Sequence, residues 1–142
     1  MNPQNTSSLP QDDASVIKRL LQSRRIAVVG LSDDPSRPSF GVANYLHSHG
    51  YEIIPVNPHC FSVLGVRSAA SLADVTGAID LVNVFRRPEL CAAVVREAVA
   101  AGAKGIWLQS GIRSPEARAI AKEAGVDYIE DHCLMVEHSH AA

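Results

Sequence analysis

Within Arg25-Ile26-Ala27-Val28-Val29-Gly30-Leu31-Ser32-Asp33-Asp34-Pro35-Ser36-Arg37-Pro38-Ser39-Phe40-Gly41, residues Ile26 to Val29 form an unbroken apolar run rich in β-branched side chains. That composition suits a strand buried on both faces of a parallel sheet. Gly30 ends it. A loop of Ser, Asp, Pro and Arg follows, and then Val42, Ala43, Tyr45 and Leu46 recur at helical spacing. Ser39, with Pro38 before it, stands where a helix N-cap belongs. A strand, a small-residue loop and a helix start in that order make a site for an anion. Unpaired N–H groups and the positive end of the helix dipole face the loop, and Gly30 lets a ligand approach the backbone closely. Arg37 adds a full charge. The plainer alternative is that Gly30 serves only the turn.

The same alternation extends to both sides. Ser15 precedes Val16, Ile17, Leu20 and Leu21, which share one helix face expected to pack across the sheet. The helix from about Phe40 to His49 stops at Gly50, and Tyr51 to Val56 reads as a second strand ended by Asn57-Pro58. An irregular connection is expected over His59 to Val66, and a short helix over Ser71 to Val75. Leu81 to Phe85 is the third strand. Pro88 opens a helix whose buried face is Leu90, Val94, Val95, Ala98 and Val99, up to Gly102. Lys104 to Gln109 is the fourth strand, Ser114-Pro115-Glu116 opens a further helix ending at Gly125, and Val126 to Ile129 is the fifth strand. The expected fold is therefore α/β: a Rossmann-like, doubly wound parallel sheet of about five strands in three α/β/α layers. Residues 1–13, polar and with little to bury, are expected to be a disordered lead-in. Residues 14–142 are expected to form one domain.

Composition narrows the function classes. In 142 residues, 46% are apolar and 20% charged, enough to bury a core without disulfides or metal. A net charge of −2 with no basic, aromatic-interleaved run argues against a nucleic-acid partner. Cys60, Cys91 and Cys133 have no CxxC spacing and no even pairing, which fits a reducing cytoplasm. Met1 to Asp13 lacks the apolar core of a signal peptide, and no run approaches membrane-spanning length, so no membrane partner is expected.

In a doubly wound sheet, ligands lie at the carboxyl ends of the strands. Those ends carry Gly30-Leu31-Ser32, Asn57-Pro58-His59, Arg86-Arg87-Pro88, Gln109-Ser110-Gly111 and Glu130-Asp131-His132-Cys133. Two adjacent arginines among uncharged hydrogen-bonding groups make a lining for a phosphorylated, nucleotide-like ligand. Arg86 and Arg87 at a helix start oppose its dipole, which an anion would relieve. A nicotinamide dinucleotide would ask for G-x-G-x-x-G and an acidic residue after the second strand. Gly30-Leu31-Ser32-Asp33-Asp34-Pro35 supplies one glycine of three, and the second strand ends in Asn57. His132, Cys133, Glu137, His138 and His140 have metal-ligand side chains but no standard zinc spacing, so no metal is assigned. Trp107 reads as core. No Ser-His-Asp order, nucleophile elbow or carboxylate pair falls on the strand ends, so no catalytic residue is assigned.

The chain from about Arg25 to His138 resembles the small stand-alone CoA-binding proteins, similar in fold to the CoA-binding domain of the succinyl-CoA synthetase α subunit. The segments carrying the likeness include Ile26 to Ser32, Arg37-Pro38-Ser39, Ile54-Pro55-Val56-Asn57-Pro58, Val84-Phe85-Arg86-Arg87, Trp107 to Gly111, and Cys133 with Glu137-His138. The resemblance implies coenzyme A or an acyl-CoA as the ligand. Gly30, Leu31 and Ser32, with the helix start near Ser39, would hold the pyrophosphate, and Arg37 with one of Arg86 or Arg87 the phosphates. Asn57, Pro58, Val84 and Phe85 would flank the adenosine. Gln109 and Gly111 would line the pantetheine path, and a Cys133 beside its end could form a mixed disulfide with CoA. His59 stands where relatives often have lysine. The synthetase relative uses a phosphorylated histidine on a second domain, so a binding module, as monomer or homodimer, is expected rather than an enzyme. The alternatives are an interaction subunit of an acyl-CoA ligase and an NAD(P)-dependent oxidoreductase.

Overall fold

A computed structural model describes residues 11–141. The expected lead-in falls outside the described residues as far as residue 10. Its last two residues, Asp12 and Asp13, already belong to helix α1 (Asp13–Leu20): Asp12 is the N-cap, accepting from Ser15 N at 3.2 Å. Ser15 is thus a first-turn residue, not the forerunner of the helix. The chain continues through β1 (Arg25–Val29), α2 (Pro38–Ser48) and β2 (Glu52–Val56). Next comes a short hairpin of β3 (Ser62–Val63) and β4 (Val66–Arg67), then a 3-10 turn at Leu72–Asp74. The second half is β5 (Leu81–Val84), α3 (Pro88–Ala100), β6 (Gly105–Leu108), α4 (Pro115–Ala124), β7 (Asp127–Ile129) and α5 (Leu134–Ala141).

Five strands form one parallel sheet in the order β2-β1-β5-β6-β7, with Ile26 beside Ile53 on one flank and Leu81 on the other. Period-two alternation sends Ala27, Val29, Val82 and Val84 to one face, where Cys91, Val95 and Ala98 of α3 and Ala117 and Ala121 of α4 cover them. Ile26, Val28, Leu81 and Trp107 face the other way, onto α1, α2 and Leu134 of α5. Helices on both faces explain why the strands read as continuous apolar runs. Each such side chain, fully removed from water, stabilises the fold by about 1.5–3 kcal/mol. Trp107 is core as expected, its Nε1 donating to His132 O at 2.8 Å.

Two elements depart from the expectation. The connection expected to be irregular contains the β3–β4 hairpin, turned by Leu64 at φ 54° and Gly65 at φ 76°. No helix was expected after the fifth strand, yet Leu134–Ala141 form α5, which packs on α2. There Tyr45 Oη and His138 Nδ1 are 2.8 Å apart, and His132 Nδ1 lies 3.0 Å from Glu137 Oε2. Among the described residues, no three His, Cys, Asp or Glu side chains gather as a metal would require. Among them, too, no helix is long and apolar enough to cross a membrane.

Candidate functional site

Strand order reverses between β1 and β5, and at such a switch point a crevice opens above the carboxyl ends of the strands. Gly30 and Phe85 are its two lips. Gly30 N donates to Val56 O and Phe85 N to Val29 O, both at 2.9 Å. Gly30 holds φ +87°, and a Cβ built on it would collide with the carbonyl oxygen of Phe85. Glycine is therefore demanded twice, by the backbone turn and by the closeness of the neighbouring strand. As a result, bare main chain faces the crevice.

The two helices that enter beside it start alike. Arg37 is the N-cap of α2 and Arg87 that of α3, each followed by proline, and neither helix has a side-chain cap. Ser39 is thus not the N-cap expected from its position. It lies in the first turn, buried, and its Oγ accepts from Ser32 N at 3.0 Å, tying the loop to the helix start. Ser32 Oγ in turn accepts from Asp34 N at 3.0 Å. Proline at the first position costs no hydrogen bond there. Arginine at the N-cap is another matter: it sets a cation at the positive end of a dipole, an arrangement an anion would relieve.

Arg37, Arg86 and Arg87 line one cleft of about 590 Å³ together with Gly30, Ser32, Ser39 and Phe85. Among the described residues, neither Arg37 nor Arg86 forms a salt bridge; Arg87 Nε lies 3.5 Å from the Glu89 carboxylate, both side chains being mostly exposed. Such a pair is worth little. Asp34, near Arg37, is already engaged. Its carboxyl is held below the usual range first by the Ser36 N–H and hydroxyl, with Arg37 a lesser contributor.

A second cleft of about 650 Å³ adjoins the first, sharing Pro38, Phe85 and Ile112 as walls. Gln109 reaches its lining, but its Oε1 is committed, accepting from Asn83 Nδ2 and from Leu134 N, each at 3.2 Å. Cys133 and Met135 line it as well.

The other expected site residues lie apart. Leu31 and Val84 are wholly buried and line neither cleft. Gly111 lines neither cleft, and its N–H donates to Asp131 Oδ1 at 2.6 Å. Asn57 and Pro58 line a separate concavity of about 340 Å³ with Phe61 and Arg67 of the hairpin region, and Asn57 Nδ2 donates to Leu31 O at 3.0 Å. Ile112 and Met135 were not singled out from the sequence. A lone apolar residue in the loop Ser110-Gly111-Ile112-Arg113 was the available signal for the first.

The fold is shared with known proteins. The Bacillus subtilis protein YneT, described as uncharacterized, is 47% identical over 124 residues, which cover 87% of this chain and 92% of that one. A solved Thermus thermophilus structure, cell-free ID.343, matches with a TM-score of 0.85 at 40% identity, covering 92% of this chain and 99% of the other. Acetate–CoA ligase (ADP-forming) II of Archaeoglobus fulgidus is 25% identical over 126 residues, so that the chain spans only 18% of that relative's length. The family model described as the CoA binding domain matches residues 24–139, from the residue before β1 into α5, and the chain belongs to that family.

Proposed function

We propose that the chain binds coenzyme A, free or as an acyl thioester, and does not turn it over. The observation that carries this reading is the convergence of Arg37, Arg86 and Arg87, with two helix N-termini, on one cleft at the switch point. In it, Arg37 and Arg86 neutralise phosphates while the Gly30–Ser32 loop and the start of α2 receive the pyrophosphate. Phe85 flanks the adenosine. The pantetheine arm runs past Phe85 toward Gln109. Among the described residues, the arginine cleft has neither carboxylate nor imidazole in its lining to serve as a general base, which supports a binding role over catalysis.

Native mass spectrometry of the chain mixed with equimolar CoA, NADP and ATP tests the reading. The expected spectrum shows the CoA adduct dominant and acetyl-CoA unconsumed on prolonged incubation. A dominant NADP adduct, or no adduct with CoA, overturns it.

The likeness to the Archaeoglobus ligase favours a second reading, a separate subunit that completes an acyl-CoA ligase. ADP- and phosphate-dependent ligase activity co-eluting with the chain from native lysate supports it. Elution as an inactive monomer or homodimer contradicts it.

A further inference from the structure

We infer that the second cleft receives the acyl group of a CoA thioester, and that the protein prefers linear acyl-CoA to free CoA. This rests on the reading of the arginine cleft as the CoA phosphate site. Because the two clefts share Pro38, Phe85 and Ile112, a ligand anchored by its phosphates at Arg37 and Arg86 ends, at its thiol, in the second.

The chemistry of that end is unlike the first. Among the described residues none that lines it is charged; Val42, Phe85, Ile112 and Met135 give it apolar walls. A free thiol would gain little from them, whereas each methylene of an acyl chain would leave water.

Gly41 supplies an independent reason. It sits inside α2, one turn from Pro38 and beside Val42, with no left-handed φ. A Cβ added there would meet nothing within 4 Å. Neither turn geometry nor close packing asks for glycine, and in a helix interior it is less stable than alanine. What the missing side chain does is leave the second cleft open along α2, where Gly41 lines it.

The test is a calorimetric series of CoA, acetyl-CoA, butyryl-CoA and hexanoyl-CoA on the full chain and on Gly41→Leu. This substitution fills the cleft while raising helix propensity, so the variant should fold. For the wild-type chain, affinity is expected to rise roughly fourfold per methylene until the cleft is full. In Gly41→Leu, the ratio of hexanoyl-CoA to CoA affinity is expected to fall to near one. A flat series on the wild-type chain, with CoA itself bound, overturns the acyl assignment alone. An unchanged ratio in Gly41→Leu overturns its location. Failure of every member to bind instead overturns the reading of the arginine cleft, and the acyl assignment with it.

Discussion

Gly30 faces the carbonyl oxygen of Phe85 with no room between them for a Cβ, and this contact joins β1 to β5 at the lip of the crevice. Gly30→Ala must therefore both hold φ near +87° and push back the main chain of the adjacent strand. A destabilisation of about 1–3 kcal/mol is expected from urea unfolding, with a matching loss of ligand affinity. An Ala variant as stable as the parent would show that the two strand ends are not in contact.

Arg37 and Arg86 make no salt bridge among the described residues, so removing either should leave unfolding midpoints nearly unchanged. Binding is different. Arg37→Ala and Arg86→Ala should each weaken CoA binding by about 1.5–3 kcal/mol, the scale of a hydrogen bond to a charged group. The affinity of the parent should also fall as salt is raised, through screening. Titrations in which neither variant loses affinity would move the phosphates elsewhere.

Gln109 joins the sheet to α5 through one oxygen shared by Asn83 Nδ2 and Leu134 N. Truncation to Ala leaves two buried donors without that acceptor, at a cost of about 1–3 kcal/mol. Hydrogen exchange should speed up selectively in α5, while β1 and β2 keep their protection. Uniform loss of protection would mean that α5 is not separately held by this residue.

Cys133 and Met135 border the second cleft, whereas Cys60 lies by the hairpin and Cys91 is on the buried face of α3. Burial pushes the Cys91 thiol up to about 11, with Glu130 and Glu89 adding to the effect, so it should resist alkylation. Iodoacetamide mapping by mass spectrometry should show Cys133 protected by CoA and Cys60 labelled equally with and without it. Equal labelling of Cys133 in both conditions would contradict the course given to the pantetheine arm.

Asp80 accepts from the main-chain N–H groups of Arg25 and Arg24, which hold its carboxyl below the ordinary 3.8. Burial works to raise Glu130, but the Ser114 N–H, the Tyr128 hydroxyl and Arg118 together keep it below 4.5. Groups depressed in the folded state contribute stability that is complete above their unfolded values and disappears as pH falls through the folded ones. Urea midpoints should therefore be flat from about pH 7 to about pH 5 and then drop on further acidification. Asp80→Asn should start lower and show a shallower acid limb. An unchanged limb would remove Asp80 from the account.

Much of this was legible in the residues because burial on both faces leaves a plain record. Ile26 to Val29, Leu81 to Val84 and Ile106 to Leu108 are apolar without interruption apart from Asn83, and a parallel sheet of about five strands was read from such runs. The arginines were legible as phosphate ligands beside the strand ends, and Pro88 as a helix start, but the start of α2 was read at Ser39 and lies instead at Arg37-Pro38. The hairpin was hidden because its turn puts Leu64 in a left-handed conformation that leucine seldom adopts, leaving no Asn-Gly signal. Ser39 misled for a local reason: its hydroxyl caps nothing in its own helix and serves the Ser32 N–H instead. Helix α5 was obscured by its His-rich polar end, and it is held by tertiary contacts from Gln109 and Tyr45 that no local pattern reveals.

Isothermal titration of CoA, NADP and ATP into the intact chain and into the Arg37→Ala/Arg86→Ala double variant tests the ligand assignment at its root. CoA is expected to bind the parent at least about tenfold more tightly than either competitor, a margin of about 1.4 kcal/mol, and to lose most of that affinity in the double variant. NADP binding as tightly as CoA, or CoA binding the double variant as well as the parent, would contradict it.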